Sequence, residues 1–449
     1  MSLLTSQITA VDDAFSYGVT GAVQAVGGLT IEASDLALPV GSLCRIGDKN
    51  VLAEVIGFQH DRTLLMSLDS VVGVSRGDHV RNVAASASVP CSDQMLGRVL
   101  DGFGRPMDGR GPLPLASPRP LDARSVQCLD RTHIDKPIAT SIRTIDSLLT
   151  CGLGQRMGIF SGPGVGKSML LGQIAKHTSA DVSVVALVGE RGREVNEFLQ
   201  QSLGEAGLKR CVVIVSTGDE APLLRVRAAK VACAVSEYFR DRGKNVLLLV
   251  DSLTRLAQAQ RQIGLAAREP PATKGFPPSV FALLPKILER AGRTATGSVT
   301  GFYTVLVETD DFNEPIADAV KGISDGHLWL SRALANRAHF PAIDVIQSIS
   351  RVRSSVCDAE QIRQARRVLA LLAAYQDIED LVNIGAFVPG NSPEMDLAVQ
   401  ARPRILQFLQ QDFAAPTNMV QAQSQLRDLT TAIDAMDRGI RAAAAKKGK

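Results

Sequence analysis

The sequence has few aromatic residues, which make up 4% of its 449 positions. Aromatic rings are the usual platform on which single-stranded nucleic acid stacks, so their scarcity argues against a nucleic-acid partner. The net charge of +3 is also too small to indicate a nucleic-acid or membrane partner by itself. No apolar run reaches the roughly 18 residues of a membrane-spanning helix, and the best one, residues 246–250, ends at Asp251.

Disulfide and metal-ligand patterns are missing as well. The seven cysteines are odd in number and form no CxxC pair, so neither a disulfide framework nor a zinc site is indicated. The first residues, MSLLTSQITAVDDAF, have no basic segment followed by a sustained apolar run, so they predict no secretory signal. We therefore expect reduced thiols in a cytoplasmic, soluble protein.

The composition changes twice along the chain. First come short β-rich runs separated by Gly, Asp or Asn at intervals of about 8–12 residues, which predicts a small barrel or sandwich. Near-continuous Val and Leu runs then alternate with helical stretches, which predicts a parallel α/β sheet. The last part repeats Gln, Ala, Arg and Leu at helical spacing. The predicted α/β multidomain architecture is a β-barrel at 17–90, an α/β domain at 91–356 and a C-terminal helical domain at 357–449.

Two further segments have their own composition. Residues 1–16 are either a short helix, with Leu3, Leu4, Ile8 and Val11 on one face, or a disordered arm. Residues 97–120 are dense in Gly and Pro, and we interpret them as an ordered linker.

A glycine-rich loop follows the predicted strand MGIFS, in the stretch SGPGVGKSMLL. Its glycines let the backbone curl so that successive N–H groups point at phosphate oxygens, and a helix starting near Lys167 adds its positive dipole end. Lys167 provides a charge for the β- and γ-phosphates, and the Ser168 hydroxyl can ligate Mg²⁺. Ser161 replaces the first glycine of the strict pattern. The predicted nucleotide-binding residues of the loop are Gly162, Pro163, Gly164, Val165, Gly166, Lys167, Ser168 and Met169.

Two other predicted strands end in acidic residues. VLLLVDSLTR ends its apolar run at Asp251, where a carboxylate can hold the water shell of Mg²⁺. VVALV runs into GERGREV. Beside a phosphate site, Glu190 would polarise the attacking water, Arg191 would hold the phosphate or lock the loop, and Glu194 could order a water on the metal. The alternative is a solvated, salt-bridged turn worth about 0–1 kcal/mol.

A third segment, AHFPAIDVIQSISRVRSS, contains candidates for the rest of a site. The γ-phosphate needs a positive charge as its bond breaks, and either Arg351 or Arg353 could supply it. A plain surface arginine is the alternative. Phe340 is a candidate for stacking on the nucleotide base, with a core aromatic as the alternative.

These motifs, taken together, match a known pattern. SGPGVGKS, VGERGREV, LLLVDSLTR, DDFNEPIAD–GISDGHLWLSR and HFPAID–SISR, in this order and spacing, closely resemble the rotary-type ATPases, and among these the flagellar and type III protein-export ATPases. The resemblance covers residues from about 17 to the end. It implies a β-barrel, a RecA-like nucleotide domain and a helical C-terminal domain, assembled as a homohexameric ring.

The resemblance also assigns roles by position. It implies that Lys167 and Ser168 bind phosphate and Mg²⁺, that Glu190 is the catalytic carboxylate, and that Asp251 is the Walker B acid. Arg351 resembles the finger inserted from the adjacent subunit. Phe340 stands where the family often has Tyr against adenine.

The implied function is Mg²⁺-dependent ATP hydrolysis that energises protein export at the cytoplasmic base of a flagellum or related apparatus, peripheral to the inner membrane. Expected partners are further copies of the chain, stalk or export-gate proteins, and secreted substrates or their chaperones. We also predict that residues 2–15 bind a stator-like regulator. A catalytic subunit of ATP-synthase type and a nucleotide-dependent docking module remain alternatives. Against the synthase, GERGREV has Gly where that subunit usually has Thr.

Overall fold

The computed structural model describes residues 19–84, 87–114, 117–123, 126–307, 314–413 and 415–447. The predicted helix or arm at residues 1–16 and the start of the DDFNEPIAD motif lie outside these ranges. Within them, no helix combines the length and the apolar character needed to cross a bilayer.

The described residues form nineteen strands and fourteen α-helices. The strands are β1 Thr20–Gly27, β2 Thr30–Ser34, β3 Leu43–Ile46, β4 Val51–Gln59, β5 Arg62–Ser67, β6 His79–Ala84, β7 Ser88–Cys91, β8 Val99–Leu100, β9 Ser117–Pro120, β10 Pro137–Ile138, β11 Cys151–Gly152, β12 Arg156–Ser161, β13 Val182–Glu190, β14 Cys211–Thr217, β15 Asn245–Asp251, β16 Gly292–Arg293, β17 Ser298–Leu306, β18 Gly326–Leu330 and β19 Ile343–Ser350. The helices are α1 Arg143–Leu148, α2 Lys167–His177, α3 Gly192–Glu197, α4 Gly204–Leu208, α5 Pro222–Arg240, α6 Leu253–Ala266, α7 Pro278–Leu288, α8 Pro315–Ile323, α9 Arg332–Asn336, α10 Arg353–Val356, α11 Ala359–Gln376, α12 Glu379–Asn383, α13 Pro393–Leu409 and α14 Met419–Lys447.

The first six strands close into a barrel in the order β1-β2-β5-β4-β3-β6, and every neighbouring pair is antiparallel. Burial alternates along β2, where Ile31 and Ala33 are fully buried and Glu32 between them is not. Closure leaves no unpaired strand edge. The predicted N-terminal β-barrel is confirmed.

The central domain is built on a sheet in the order β19-β18-β12-β17-β15-β13-β14-β8, with β16 beside β17. The pairings from β18 to β8 are parallel, while β19 and β16 run antiparallel to their neighbours. All nine residues of β13 are buried, because helices cover both faces of the sheet. Val184 and Ala186 pack into the core with α5, whereas Val185 and Leu187 pack into the core with α2. The predicted parallel α/β domain is confirmed.

Residues 97–120 do more than link two domains. Val99 and Leu100 form β8, which pairs in parallel with β14 at one end of the central sheet. Strand β9 pairs with β7 in a separate two-stranded sheet. The linker interpretation was therefore wrong for these residues, because a two-residue strand is too short to show a periodic pattern.

The C-terminal part is helical, as predicted. Helices α11, α13 and α14 contribute to one continuous apolar core with the α2 face of the central sheet, through buried residues such as Val368, Ile405 and Leu429. The C-terminal helices are therefore packed directly on the nucleotide-binding domain.

Candidate active site

The glycine-rich loop joins β12 to α2 at the carboxyl edge of the parallel sheet. Gly164 has φ of +77° and Gly166 has φ of +84°, a backbone conformation that side chains disfavour. Gly166 directly precedes α2, and no side chain caps the helix N-terminus. The N–H groups at the start of α2 are therefore available to an anion, as the sequence predicts.

Other residues of the loop have distinct surroundings. Val165 is buried at 2% exposure, whereas Pro163 and Ser168 are exposed. Met169 is 38% exposed, and its sulfur accepts a hydrogen bond from the Ser202 hydroxyl at 3.6 Å. The hydroxyl of Ser168 therefore lies at the open side of the loop, where a ligand has access.

Three predicted residues from three different elements converge beside this loop. Lys167 Nζ lies 2.5 Å from Asp251 Oδ1 and 3.9 Å from Glu190 Oε1. The Thr304 hydroxyl, from the adjacent strand β17, donates a hydrogen bond to Asp251 Oδ1 at 2.7 Å. Because β12, β13 and β15 are parallel, their carboxyl ends meet at this edge, where open α/β sheets bind ligands.

Glu190 is a buried carboxyl whose pKa is shifted from its ordinary value. It is 7% exposed, and its Oε1 accepts no hydrogen bond from the described residues. Burial raises the pKa of this carboxyl to about 7, assisted by the charge of Asp251 and a hydrogen bond with Glu194, while Lys167 and Arg255 oppose the shift. A carboxyl that titrates near neutrality and has an oxygen without a hydrogen bond is suited to hold a water and receive its proton.

The other charged residues after β13 lie further out. Glu194 is 44% exposed, and its hydrogen bond with Glu190 lowers its pKa. Arg191 is 80% exposed and contacts Glu194, with Nη1 3.8 Å from Oε1. Within one chain, Arg191 therefore does not join the group formed by Lys167, Glu190 and Asp251.

The structure adds two arginines that the sequence analysis missed. Arg255 Nε lies 3.3 Å from Glu190 Oε1, and its side chain packs on Gly189. The guanidinium of Arg332 lies over the loop, where a Cβ at Gly162 would meet its Nη2 at 2.8 Å. Both residues follow strands of the sheet, in LLLVDSLTR and LWLSR, so the motifs contained the signal although the individual residues were not chosen.

Phe340 lies beside the glycine-rich loop. A Cβ at Gly166 would be 3.4 Å from its ring, and Phe340 itself is only partly buried. It lines a pocket of about 400 Å³ together with Phe413. The remaining lining residues are Ala338, Gln410, Gln411 and Asp412. Phe413 was not predicted, because no motif in the sequence connects it with Phe340.

Arg351 and Arg353 have different surroundings. Arg353 is half-buried and donates a hydrogen bond from Nη1 to the Leu148 carbonyl at 2.9 Å. Arg351 is exposed. It follows Ser350, which pairs with Gly326 at the start of β18, whereas Leu330 at the other end of β18 pairs with Ser161 beside the loop. Arg351 thus lies at the sheet edge opposite its own glycine-rich loop, about 13 Å away along the strands at 3.3 Å per residue.

A parallel sheet whose carboxyl edge brings together a glycine-rich loop, a lysine and two carboxylates defines a P-loop nucleoside triphosphatase. Family models agree with this class. The chain matches the nucleotide-binding domain of the ATP synthase alpha/beta family over residues 141–350 and the β-barrel domain of that family over residues 23–83. The C-terminal domain of the type III secretion ATPase EscN matches residues 357–428.

Curated relatives and solved structures narrow the class further. The chain is 49% identical to the "Flagellum-specific ATP synthase" of Pseudomonas aeruginosa, covering 92% of this chain and 93% of the relative. It is 44% identical to the "Type 3 secretion system ATPase" of Xanthomonas euvesicatoria, with coverage of 92% and 93%. The structure of the assembled ATPase EscN from enteropathogenic E. coli superposes with a TM-score of 0.86 at 44% identity, covering 91% of this chain and 99% of EscN. The chain therefore belongs to the flagellar and type III secretion ATPases, which confirms the resemblance seen in the sequence.

Proposed function

We propose that the protein is a Mg²⁺-dependent ATP hydrolase that energises protein export at the cytoplasmic base of a flagellar or type III secretion apparatus, with each reaction site at an interface of a homohexamer. The observation that carries this proposal is the convergence of Lys167, Glu190 and Asp251 beside the glycine-rich loop, within 4 Å of Lys167 Nζ. The names of the relatives, flagellum-specific and type 3 secretion system, support a role in export.

The residues present fit a magnesium–nucleotide complex. Among the described residues, no three His, Cys, Asp or Glu side chains form a metal-binding group. Mg²⁺ at a nucleotide site needs only one or two protein ligands, because phosphates and water supply the rest. Ser168 and Asp251 would hold the ion, and Glu194 would order a water on it. When bound, the ion neutralises charge on the β- and γ-phosphates.

Glu190 is the proposed catalytic carboxylate. Among the described residues its Oε1 accepts no hydrogen bond, although Arg255 Nε lies 3.3 Å away, which leaves a lone pair for a hydrogen bond from the attacking water. Its pKa of about 7 lets it take up a proton near neutral pH. Lys167, which contacts Asp251 in the chain alone, would bind the phosphates.

Arg351 is proposed as the finger for the site of a neighbouring copy. Its position at the far edge of the sheet argues against contact with its own γ-phosphate, and exposure leaves it available to a neighbour. Arg353 is less suited because its guanidinium is already bound to the Leu148 carbonyl. Arg191, also exposed, is proposed to contact phosphate or to order the loop once nucleotide and neighbour are present.

The proposed partners follow the relatives. EscN has been solved in an assembled form and in complex with its central stalk EscO, so we propose a homohexamer that contacts a stalk protein. Export-gate proteins and secreted substrates or their chaperones are proposed as further partners. No nucleic-acid partner is proposed. A stator-like regulator at residues 2–15 remains a prediction. The proposed location is the cytoplasmic side of the inner membrane, by peripheral association.

Mixing of inactive subunits tests the shared site. Lys167→Ala and Arg351→Ala chains should each be inactive alone. In a one-to-one mixed ring, about a quarter of the interfaces would combine an intact Lys167 from one copy with an intact Arg351 from the next, because head-to-tail interfaces draw on two copies. We therefore expect partial recovery of ATP hydrolysis in the mixture.

A matched control uses two changes on the same side of the interface. Lys167→Ala and Glu190→Gln chains should give no recovery when mixed, since no copy retains both residues. Assembled Lys167→Ala and Arg351→Ala mixtures that stay inactive would contradict the proposal that Arg351 acts on a neighbour.

A further inference from the structure

The pocket at Phe340 has walls from two domains. Ala338 and Phe340 belong to the nucleotide-binding domain, and residues 410–413 come directly after α13 in the C-terminal domain. The backbone N–H of Gln411 donates to the Phe340 carbonyl at 2.9 Å, which joins the two walls. The shape of this pocket therefore depends on where the end of α13 is held.

Arg143 holds the end of α13. Its Nε donates to the Phe408 carbonyl at 2.6 Å, and its Nη2 donates to the carbonyls of Gln407 at 3.4 Å and of Gln410. Its guanidinium carbon also lies 5.3 Å from the centre of the Phe408 ring. A cation at the carboxyl end of a helix satisfies open carbonyls and interacts favourably with the helix dipole.

Neighbouring residues complete the same contact. The Thr144 hydroxyl donates to the Leu409 carbonyl at 3.1 Å, so the nucleotide-binding domain satisfies three of the last four carbonyls of α13. The fourth, on Leu406, accepts from the Gln410 N–H. The Gln411 side chain accepts from the Arg143 N–H at 2.7 Å and donates to the Ser141 carbonyl at 2.9 Å.

The loop before Arg143 is itself fixed from inside the protein. Asp146 is fully buried and accepts hydrogen bonds from the Thr140 N–H and hydroxyl, at 2.8 and 2.7 Å, and from the Ser141 N–H at 3.0 Å. Arg143 therefore projects from a rigid turn, which suits a residue that has to position another segment.

We propose that Arg143 is a positioning residue for the nucleotide base. By capping α13 it holds residues 410–413 against Phe340, and so sets the width of the pocket that receives the base. The inference rests on the proposed function, because it assumes that ATP binds at the glycine-rich loop with its base at Phe340. It assigns base recognition in part to a residue that does not touch the nucleotide.

The test compares ATP with inorganic tripolyphosphate, which has phosphates but no base, in the full-length protein. Arg143→Met removes every guanidinium donor and keeps an apolar chain. We expect the KM for ATP to rise about tenfold, the equivalent of about 1.4 kcal/mol, with a much smaller change in kcat. The inhibition constant of tripolyphosphate should stay within about twofold of wild type, because the glycine-rich loop is unaffected.

Three further variants complete the design. Arg404→Met changes an exposed arginine on α13 and should leave the KM for ATP unaltered. Arg143→Lys keeps the cation with fewer directed donors and should recover part of the loss. Should Arg143→Met fail to fold, Thr144→Val removes only the hydrogen bond to Leu409 and should shift the KM in the same direction by about two- to threefold.

Two results would overturn the inference. One is a folded Arg143→Met protein with a wild-type KM for ATP, and the other is equal weakening of ATP and tripolyphosphate. Phe340→Ala separates this inference from the proposed function. If Phe340→Ala raises the KM for ATP and Arg143→Met does not, only the role of Arg143 is lost. If Phe340→Ala has no effect, the base does not bind at Phe340 and the inference about Arg143 is wrong, whereas the proposed ATP hydrolysis at Lys167, Glu190 and Asp251 is unaffected.

Discussion

The charged side chains described above are buried and paired at one edge of the central sheet, whereas Arg351 at the other edge is exposed. At the carboxyl edge, the side chains of Lys167, Glu190 and Asp251 are at most 13% exposed, and both carboxylates lie within 4 Å of Lys167 Nζ. At the other edge, Arg351 is exposed and makes no ion pair with the residues that the structure describes. The first group forms within a single chain, whereas Arg351 remains accessible at the surface.

The difference has a physical basis. Buried charges are costly unless they are paired, so a preformed site must neutralise its own lysine, as Asp251 does here. An exposed arginine remains hydrated and does not have this desolvation cost, so it can stay unpaired until a ligand on another copy binds it. Arg351, which makes no ion pair with the described residues, is therefore a better candidate for a site shared between subunits than Arg353, which is bound to the Leu148 carbonyl.

Arg351→Ala tests directly whether the two edges of the sheet belong to one reaction site. If Arg351 supplies the charge for a neighbour's γ-phosphate, kcat should fall by about 10³-fold or more. Because the side chain is exposed, the melting temperature should not change. Steady-state hydrolysis and thermal unfolding of the same preparation check both parts. Unchanged turnover in an assembled variant would show that the two edges are not parts of one site.

Glu190→Gln tests the opposite edge. The amide cannot take a proton from water, so kcat should fall by about 10²–10⁴-fold while ATP still binds. Equilibrium binding of a fluorescent ATP analogue, alongside the hydrolysis assay, separates the two properties. Glu194→Gln is the matched control, with an expected smaller loss because Glu194 is 44% exposed. Full turnover by Glu190→Gln would remove it from the mechanism.

Glu190→Gln should also change the stability of the protein in a pH-dependent way. The folded pKa of about 7 lies above the ordinary 4.5, so between these values the folded state binds more protons than the unfolded state. This carboxyl therefore lowers stability as pH rises through that window. The variant should be more stable than wild type by about 3 kcal/mol at pH 8, with no difference below pH 4.5. Denaturant titrations across this range provide the measurement, and a gain that is independent of pH would contradict the assignment.

Arg353→Ala is expected to have the smallest effect. Unlike Arg351→Ala, it should reduce stability and leave activity nearly unchanged. Loss of the hydrogen bond to the Leu148 carbonyl should lower the free energy of unfolding by about 1 kcal/mol, with kcat within about threefold of wild type. Urea unfolding and hydrolysis rates test this. A large catalytic loss without loss of stability would exchange the roles of the two arginines.

Much of the site was predictable because it is local. Residues 162–168 are contiguous, and the conformation of a glycine-rich loop between a strand and a helix depends mainly on its own residues. The acidic residues at the ends of β13 and β15 were also found, since parallel strands bring their carboxyl ends to one edge. The roles of these residues remain predictions, and the structure places Glu190 and Asp251 within 4 Å of Lys167 Nζ.

The rest was not predictable from patterns along the chain. Arg255 stands only four residues after Asp251, yet its contact with Glu190 depends on the pairing of β13 with β15. Phe413 lines the pocket at Phe340, and Arg143 holds the end of the helix before Phe413, through contacts that span more than 70 residues of sequence. Such pairs are set by strand order and helix packing, which no single-segment periodicity records.

The three-part architecture, the glycine-rich loop and the acidic strand ends can be predicted from the sequence alone, because they follow from short-range backbone preferences and burial. Three features became visible only in the folded chain: which of two neighbouring arginines has no ion pair among the described residues, which arginine contacts Glu190, and which segment closes the pocket at Phe340. These choices depend on side chains that are distant in sequence reaching the same few ångströms of space, and their free energy exists only once the strands and helices have packed.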